Sequence, residues 1–285
     1  MAAQTWFITG ASAGLGQTLA EQVLANGDRV VLAARTLRAM APLAERYPDT
    51  ALAVELDVSD PRQRAAAVAA AAARFGAVDI LVNNAAIDFI GAIEEQDEKD
   101  YRDTFEVNFF GAVELIRLVL PGMRRRRRGT IVNVSSMDGI SSLPANGYYS
   151  ASKFALEGLT EALWQEIEPL GLRAFLVEPG SLRTGIQHRT KASGTPIPDY
   201  AATSGAFRAA VAAVSPEQFP GDPVKVAEAI RDAVRSSERR HWLILGSDAY
   251  RRIGAKLDLL RGECASGREL AASIDYPGQT VAPVL

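Results

Sequence analysis

The stretch TWFITGASAGLGQTLAEQVLANG, residues 5–27, decides how the rest of the chain is read. Its opening TWFIT is β-branched and aromatic, the composition of a strand. From about Leu15 to Asn26 apolar residues recur at helical spacing, and Gly27 stands where a helix C-terminus is usually closed. Between them lies TGASAGLG (9–16). Gly10, Gly14 and Gly16 permit a tight turn and a close approach of backbone to a ligand. The helix N-terminus behind them offers unpaired N–H groups and a partial positive charge, which suit a pyrophosphate. The spacing departs from GxGxxG, and glycines alone also fit a plain strand-to-helix turn.

The same alternation continues outward. RVVLAAR (29–35) is followed by a polar helix to Tyr47, then ALAVELDV (51–58). Asp60 and Pro61 open an alanine-rich helix with good start chemistry. VDILVNNA (78–85), a long helical stretch near 97–127, GTIVNVSS (129–136), a helix near 147–168 and LRAFLVEPG (172–180) follow. Nearly continuous apolar strands separated by helices predict a parallel sheet covered on both faces, doubly wound and right-handed. After Pro179 the rhythm changes. Residues 181–222 mix Gly, Pro, Thr and Ser around a short alanine-rich helix, and a helix (223–236), a strand (241–246) and a helical tail complete the chain. With no linker and no repeat, residues 1–285 are read as a single α/β domain.

Composition narrows the function classes. Of 285 residues, 48% are hydrophobic and 23% charged, as in globular proteins generally. A net charge of −3 gives no global field to recruit nucleic acid or anionic membrane. The single cysteine, Cys264, excludes an internal disulfide framework. Neither a positively charged leader nor an apolar run of the roughly 18 residues needed to span a bilayer is visible. The expectation is a soluble, cytoplasmic protein.

Carboxyl ends of strands are where open α/β sheets bind ligands. There the chain places Asp57 and Val58, suited to an adenine edge and face, and Asn84 and Ala85 within NNAA (83–86). The second strand ends in LAART. An acidic residue at that point would bond a ribose diol and repel a 2′-phosphate, whereas this chain has Arg35 and Thr36. A guanidinium pairs bidentately with phosphate, so NADP(H) is expected over NAD(H), which stays the alternative.

The stretch GYYSASK (147–153) supplies the chemistry. Tyr149 and Lys153 are four apart and share a helix face, while Tyr148 points away. An ammonium beside a phenol favours phenolate, lowering a pKa that is ordinarily ~10. Such a group exchanges a proton with an alcohol or carbonyl oxygen. Ser136, ending the preceding strand, can bond the same oxygen. Asn108, inside the long helix, can hold a water that relays protons through Lys153.

On TGASAGLG, LDV, NNAA, VN (107–108), IVNVSS, YSASK and EPGSLRT (178–184), in that order and spacing, the chain resembles a short-chain dehydrogenase/reductase of the single-domain kind. The resemblance covers roughly residues 4–185 and implies a Rossmann-like, doubly wound parallel sheet flanked by helices. It implies a tetrad: Asn108, Ser136, Tyr149 as general acid/base, and Lys153 as ribose anchor. Ser136 is preferred to Ser135 because it lies thirteen positions before Tyr149, as in the family. It also implies cofactor contacts from Gly10, Ser12, Leu15, Asp57, Asn84 and the segment carrying Pro179, Gly180 and Thr184. Ala86 stands where the family usually has glycine. The C-terminal extension loosely resembles that of 17β-hydroxysteroid-dehydrogenase-like members.

The expected reaction is hydride transfer between nicotinamide and a secondary alcohol, ketone or aldehyde of a moderately apolar small molecule. A catalytically silent NADP(H)-sensing protein on the same fold is the second reading. Residues 186–285 are expected to cover the substrate as a lid and C-terminal extension, with Ile186, Ile197, Tyr200 and Phe207 facing it and Asp138, Leu143 and Asn146 lining the opposite wall. The run RRRRR (124–128) ends a helix, where positive charge complements the dipole, and is read as a solvated terminus. His188 and His241 lack metal-ligand spacing, so no metal is assigned. Trp6, Trp164 and Trp242 are read as core. By family analogy alone the chain is a homo-oligomer, dimer or tetramer, pairing through its two long helices.

Overall fold

The computed structural model describes residues 3–185, 190–276 and 278. Strands run at β1 (Thr5–Thr9), β2 (Arg29–Ala34), β3 (Ala51–Glu55), β4 (Ile80–Asn83), β5 (Phe89–Ile90), β6 (Thr130–Val134), β7 (Arg173–Pro179), β8 (Lys191–Ala192) and β9 (Trp242–Leu245). The main helices are α1 (Gly14–Ala25), α2 (Ala41–Arg46), α3 (Pro61–Phe75), α4 (Glu98–Phe105), α5 (Gly111–Arg126), α6 (Gly147–Ile167), α7 (Ala206–Ala213), α8 (Pro223–Arg235), α9 (Ser247–Ser266) and α10 (Arg268–Ser273). Seven strands form one parallel sheet in the order β3-β2-β1-β4-β6-β7-β9. The order reverses at β1, so a crevice opens between the carboxyl ends of β1 and β4.

Alternate residues of one strand serve opposite faces of the sheet. Trp6 and Ile8 join the core formed with α1 and α8, while Phe7 joins the one formed with α3, α5 and α6. All three are fully buried. Each such side chain contributes about 1.5–3 kcal/mol relative to exposure, enough to make the strand register decisive. Asp60 caps α3 as expected, accepting from the Arg62 and Gln63 N–H groups at 2.7 and 3.2 Å.

The long helix near 97–127 is interrupted. Between α4 and α5 the chain makes a π-turn, Glu106–Phe110, that carries Asn108 at its centre. Such widened turns occur often at functional sites because the extra residue swings a side chain off the helical register. A second parallel pair, β5 with β8, was too short to read from sequence.

One expectation needs an addition and another a correction. Arg126 donates to the Val78 carbonyl at 2.7 Å, and Arg128 pairs at 2.9 Å with Asp79, whose other oxygen accepts from the Thr5 N–H. All five arginines are exposed at the end of α5, as expected, and two of them also latch the starts of β1 and β4. Trp6 and Trp164 are buried, but Trp242 is 43% exposed and donates to Glu157 at 3.2 Å. His241 lies between Trp164, which it stacks on, and Glu168. Among the described residues no acidic, histidine or cysteine cluster could hold a metal, and no helix is long and apolar enough to cross a membrane.

Glu178, inside β7, is wholly buried, and burial pushes its carboxyl up to about 9, with the nearby Glu157 adding to the effect. Glu157 itself is pushed up to about 7, and Asp88 to about 6, in both cases mainly by burial. Between pH 5 and 8 the folded chain thus holds protons that the unfolded chain has released, so stability falls as pH rises. Glu178→Gln is expected to flatten that fall and raise the Tm at pH 8 by at least about 2 °C, read by calorimetry across the range. An unchanged pH slope would refute the assignment.

Candidate active site

The glycine turn is shaped by contacts across the crevice. Gly10 and Gly14 have φ of 67° and 58°, the left-handed region that glycine adopts without strain. Asn84 donates to the Thr9 carbonyl at 2.9 Å, and the Thr9 hydroxyl accepts the Asn84 and Ala85 N–H groups, both at 2.9 Å. Asn84 is thus the staple between β4 and the turn. Asn83 lies in the sheet instead, donating to Asn133 at 2.8 Å. The first turn of α1 has neither a side-chain cap nor an acidic residue, so its N–H groups face the crevice uncompensated. Ser12 lies on this turn, partly exposed, whereas the Leu15 side chain is packed into the core. Leu15 can therefore meet a ligand only through its backbone.

Arg35 and Thr36 are exposed beyond β2. Arg38, not singled out from the sequence, shares that exposed turn. Among the described residues neither arginine makes an ion pair. Asp57 bonds the Ser59 hydroxyl and N–H at 2.6 and 2.9 Å. The Val58 side chain is buried against Gly111, so it offers no face to an adenine and only its backbone is left for that role. Ala86 is exposed and its φ is not positive, so the methyl costs the fold nothing.

Beyond β7, Gly180 leaves no room for a side chain, since an added Cβ would lie 2.0 Å from the Asp248 carboxylate. That carboxylate accepts the Ser181 N–H at 2.8 Å and fixes the exit from Pro179. Thr184 follows, its N–H donating to the Leu182 carbonyl at 2.8 Å. Ile186 and His188 lie outside the described residues.

Tyr149, Lys153, Ser136 and Asn108 converge on one edge. The Tyr149 hydroxyl lies beside Ser136, whose own hydroxyl is bonded to Asp138. The Lys153 ammonium lies 5.7 Å from the Tyr149 ring centroid and donates to the Val134 carbonyl at 2.9 Å. Tyr148 takes a structural role, stacked on Tyr101 at 4.5 Å with its hydroxyl donating to the Ile93 carbonyl. Asn108 is bound in both senses to Ile87, accepting its N–H at 2.8 Å and donating to its carbonyl at 2.9 Å. It also donates to Ser152, which in turn donates to the Tyr149 carbonyl at 2.7 Å. Ser152 is thus a link that spacing did not reveal. A cavity of about 10 Å³, bordered by Thr9, Asn83, Asn108 and Lys153, is of the size that holds one water.

The expected lowering of the phenol's pKa is not what this geometry produces. Loss of hydration pushes the Tyr149 hydroxyl above its ordinary value, and the negative charges of Asp138 and Asp88 add to the shift. Lys153 is itself lowered to about 8 by burial, against the raising effects of Glu157, Asp88 and Asp138. The phenol is therefore held as a neutral acid. Asp138, buried beside Ser136, is ion-paired with Arg252 of α9, a partner no motif announced. Asn146 is also buried, directly before α6.

The segment after β7 is fastened more firmly than a hinge-rich lid suggests. Thr190 donates to Asp88 at 3.1 Å, and Glu95 accepts the Ile197 N–H at 2.8 Å and Arg208 at 2.7 Å. Tyr200 donates to Glu94 at 2.8 Å, so it turns to that carboxylate.

Comparison with known proteins agrees with this geometry. Residues 4–194 match the family model described as short chain dehydrogenase. An oxidoreductase of Botryotinia fuckeliana is 32% identical over 267 residues, 93% of this chain and 97% of its own. The crystal structure of a short-chain dehydrogenase from Streptomyces avermitilis is 39% identical, with a TM-score of 0.90 over 96% of this chain and all of that one. A short-chain dehydrogenase/reductase from Burkholderia phymatum, solved in complex with NAD, is 27% identical, with a TM-score of 0.78 over 98% of each chain.

Proposed function

The chain belongs to the short-chain dehydrogenase family of NAD(P)-dependent oxidoreductases, and from that premise we propose an NADP(H)-dependent enzyme that interconverts a carbonyl and an alcohol in a moderately apolar small molecule. Nicotinamide dinucleotide, when bound, supplies or accepts the hydride. The uncapped start of α1 suits its pyrophosphate, and the turn carrying Arg35 and Thr36 suits a 2′-phosphate.

The observation that carries the reading is the Tyr149 phenol, set beside Ser136, with the Lys153 ammonium over its ring. In this proposal Ser136 orients the substrate oxygen and Tyr149 donates the proton to it. A phenol whose pKa lies above its ordinary value is poised for donation, which favours carbonyl reduction. Lys153 holds its charge beside the ring below about pH 8 and is the group to anchor a ribose. Asn108 fixes the loop after β4 and α6 to each other and borders the water-sized cavity through which Lys153 is reprotonated. Asp138, Asn146 and the described part of the segment after β7 form the substrate's surroundings. Pairing of two copies through α5 and α6 is supported by Leu118 and Phe154, exposed on their outer faces.

The test is NADPH consumption at 340 nm by the purified protein against ketones and aldehydes of graded size. Tight NADPH binding with no turnover across the panel would favour the sensing role instead. For cofactor choice, Arg35→Ala is expected to raise the KM for NADPH about tenfold while leaving that for NADH within twofold, the consequence of losing one charge-assisted phosphate contact. Equal effects on both cofactors, or faster turnover of the unmodified protein with NADH, would overturn the NADP(H) preference.

A further inference from the structure

Helix α9 reaches back to the catalytic edge of the sheet and places one side chain against it. Arg252, with a side chain only 19% exposed, ion-pairs with Asp138 and donates to the Ser141 carbonyl. Both contacts brace the turn that leaves Ser136. Asp138 is held from the other side too, its N–H donating to the Ser136 hydroxyl at 3.0 Å and its Oδ2 accepting from that hydroxyl at 3.3 Å. Contacts therefore link α9 to Asp138 and Ser136, beside the Tyr149 phenol.

The charges around this edge are unbalanced without α9. Facing Lys153 are Asp88 from the loop after β4, Asp138 from the turn after β6, and Glu157 one turn along α6. Facing Tyr149 are Asp138 and Asp88. Glu178 of β7 lies behind Glu157 and adds no charge there, since burial keeps its carboxyl protonated. Among the described residues, Arg252 alone makes an ion pair with any of these four. Its guanidinium is always charged and braces two acceptors at once, which lysine does less well.

We propose that Arg252 is a positioning residue for the reaction: acting through Asp138, it offsets that carboxylate's charge on the Tyr149–Lys153 pair and fixes the turn that aims Ser136. The proposal rests on the catalytic reading above. Its consequence has a definite sign. Removing the Arg252 charge leaves Asp138 uncompensated, which favours the protonated forms of Lys153 and Tyr149 and moves their ionisations up. Removing the Asp138 charge moves them down. A purely packing role would damage both variants without moving their ionisations apart.

The experiment compares Arg252→Gln, Asp138→Asn, the double variant and Arg252→Lys. In the cofactor-free protein the Lys153 midpoint is read from the pH dependence of its ε-carbon NMR shift, and folding is checked by Tm. Expected are a rise of about half a pH unit in Arg252→Gln, a fall of similar size in Asp138→Asn, and a return toward the parent value in the double variant. Arg252→Lys, keeping the charge, stays near the parent midpoint. In turnover, Arg252→Gln lowers kcat about tenfold with KM changed less than threefold, and Arg252→Lys restores part of the loss. Shifts in the same direction, or none, in folded Arg252→Gln and Asp138→Asn overturn the proposal. Should Arg252→Gln fail to fold, an unmoved midpoint in Asp138→Asn, or a rise of half a unit in Arg252→Lys, does the same. Because the midpoint is read without turnover, it stands apart from the catalytic reading, which fails separately if Tyr149→Phe stays active.

Discussion

Tyr149→Phe abolishes turnover and leaves dinucleotide affinity within about twofold. The substitution removes one oxygen and nothing else. The ring that Lys153 overlies at 5.7 Å is retained, and Ser136 keeps its bonds to Asp138. What disappears is the neutral phenol set beside Ser136 to donate the proton, while the Lys153 ammonium, which donates to the Val134 carbonyl, stays in place. General acid catalysis is ordinarily worth about 10²–10⁴ in rate, and with no substitute within reach the full loss is expected. Cofactor oxidation at 340 nm and fluorescence titration with NADPH measure the two halves separately. Activity above a few per cent of the parent would mean that another group moves the proton and that the proposed mechanism is wrong.

The other large effect is expected at the opposite end of the crevice. Gly16→Ala would place a Cβ 2.5 Å from both the Gly10 carbonyl oxygen and the Asn84 amide nitrogen. The carbonyl belongs to a turn already held at a φ of 67°, and the amide is the staple to Thr9. Neither can yield without opening the turn that presents the α1 N–H groups. Overpacking of this kind costs about 1–3 kcal/mol. The expected results are a Tm lowered by about 2 °C or more and dinucleotide affinity reduced at least tenfold, while the Tyr149 edge stays intact. Denaturation curves and NADPH titration decide it. An alanine variant binding as tightly as the parent would show that the turn does not hold the pyrophosphate.

Legibility from sequence followed the range of the interactions. The alternation of strands and helices, the glycine turn, the Asp60 cap and the four-residue spacing of Tyr149 and Lys153 are local patterns, and each appears in the structure where expected. Continuous apolar strands also implied the parallel sheet, because only a doubly covered sheet buries both of their faces.

What escaped depended on segments far apart in the chain. Asn108 reaches Ile87 and Ser152 because a π-turn re-aims it, and no local propensity marks that turn. Thr190 meets Asp88, and Glu95 gathers Ile197 and Arg208, across about a hundred residues, so the tethering of the lid was invisible. The sign of the phenol's shift reversed for the same reason. Spacing along α6 placed a cation near Tyr149, but only the packed fold strips the hydroxyl of water and brings Asp88 and Asp138 to it. Residue order along the chain therefore determined which groups this protein has and on which elements they ride. Their protonation and partnership were decided by the tertiary structure, because desolvation and charge act through space and not along the backbone.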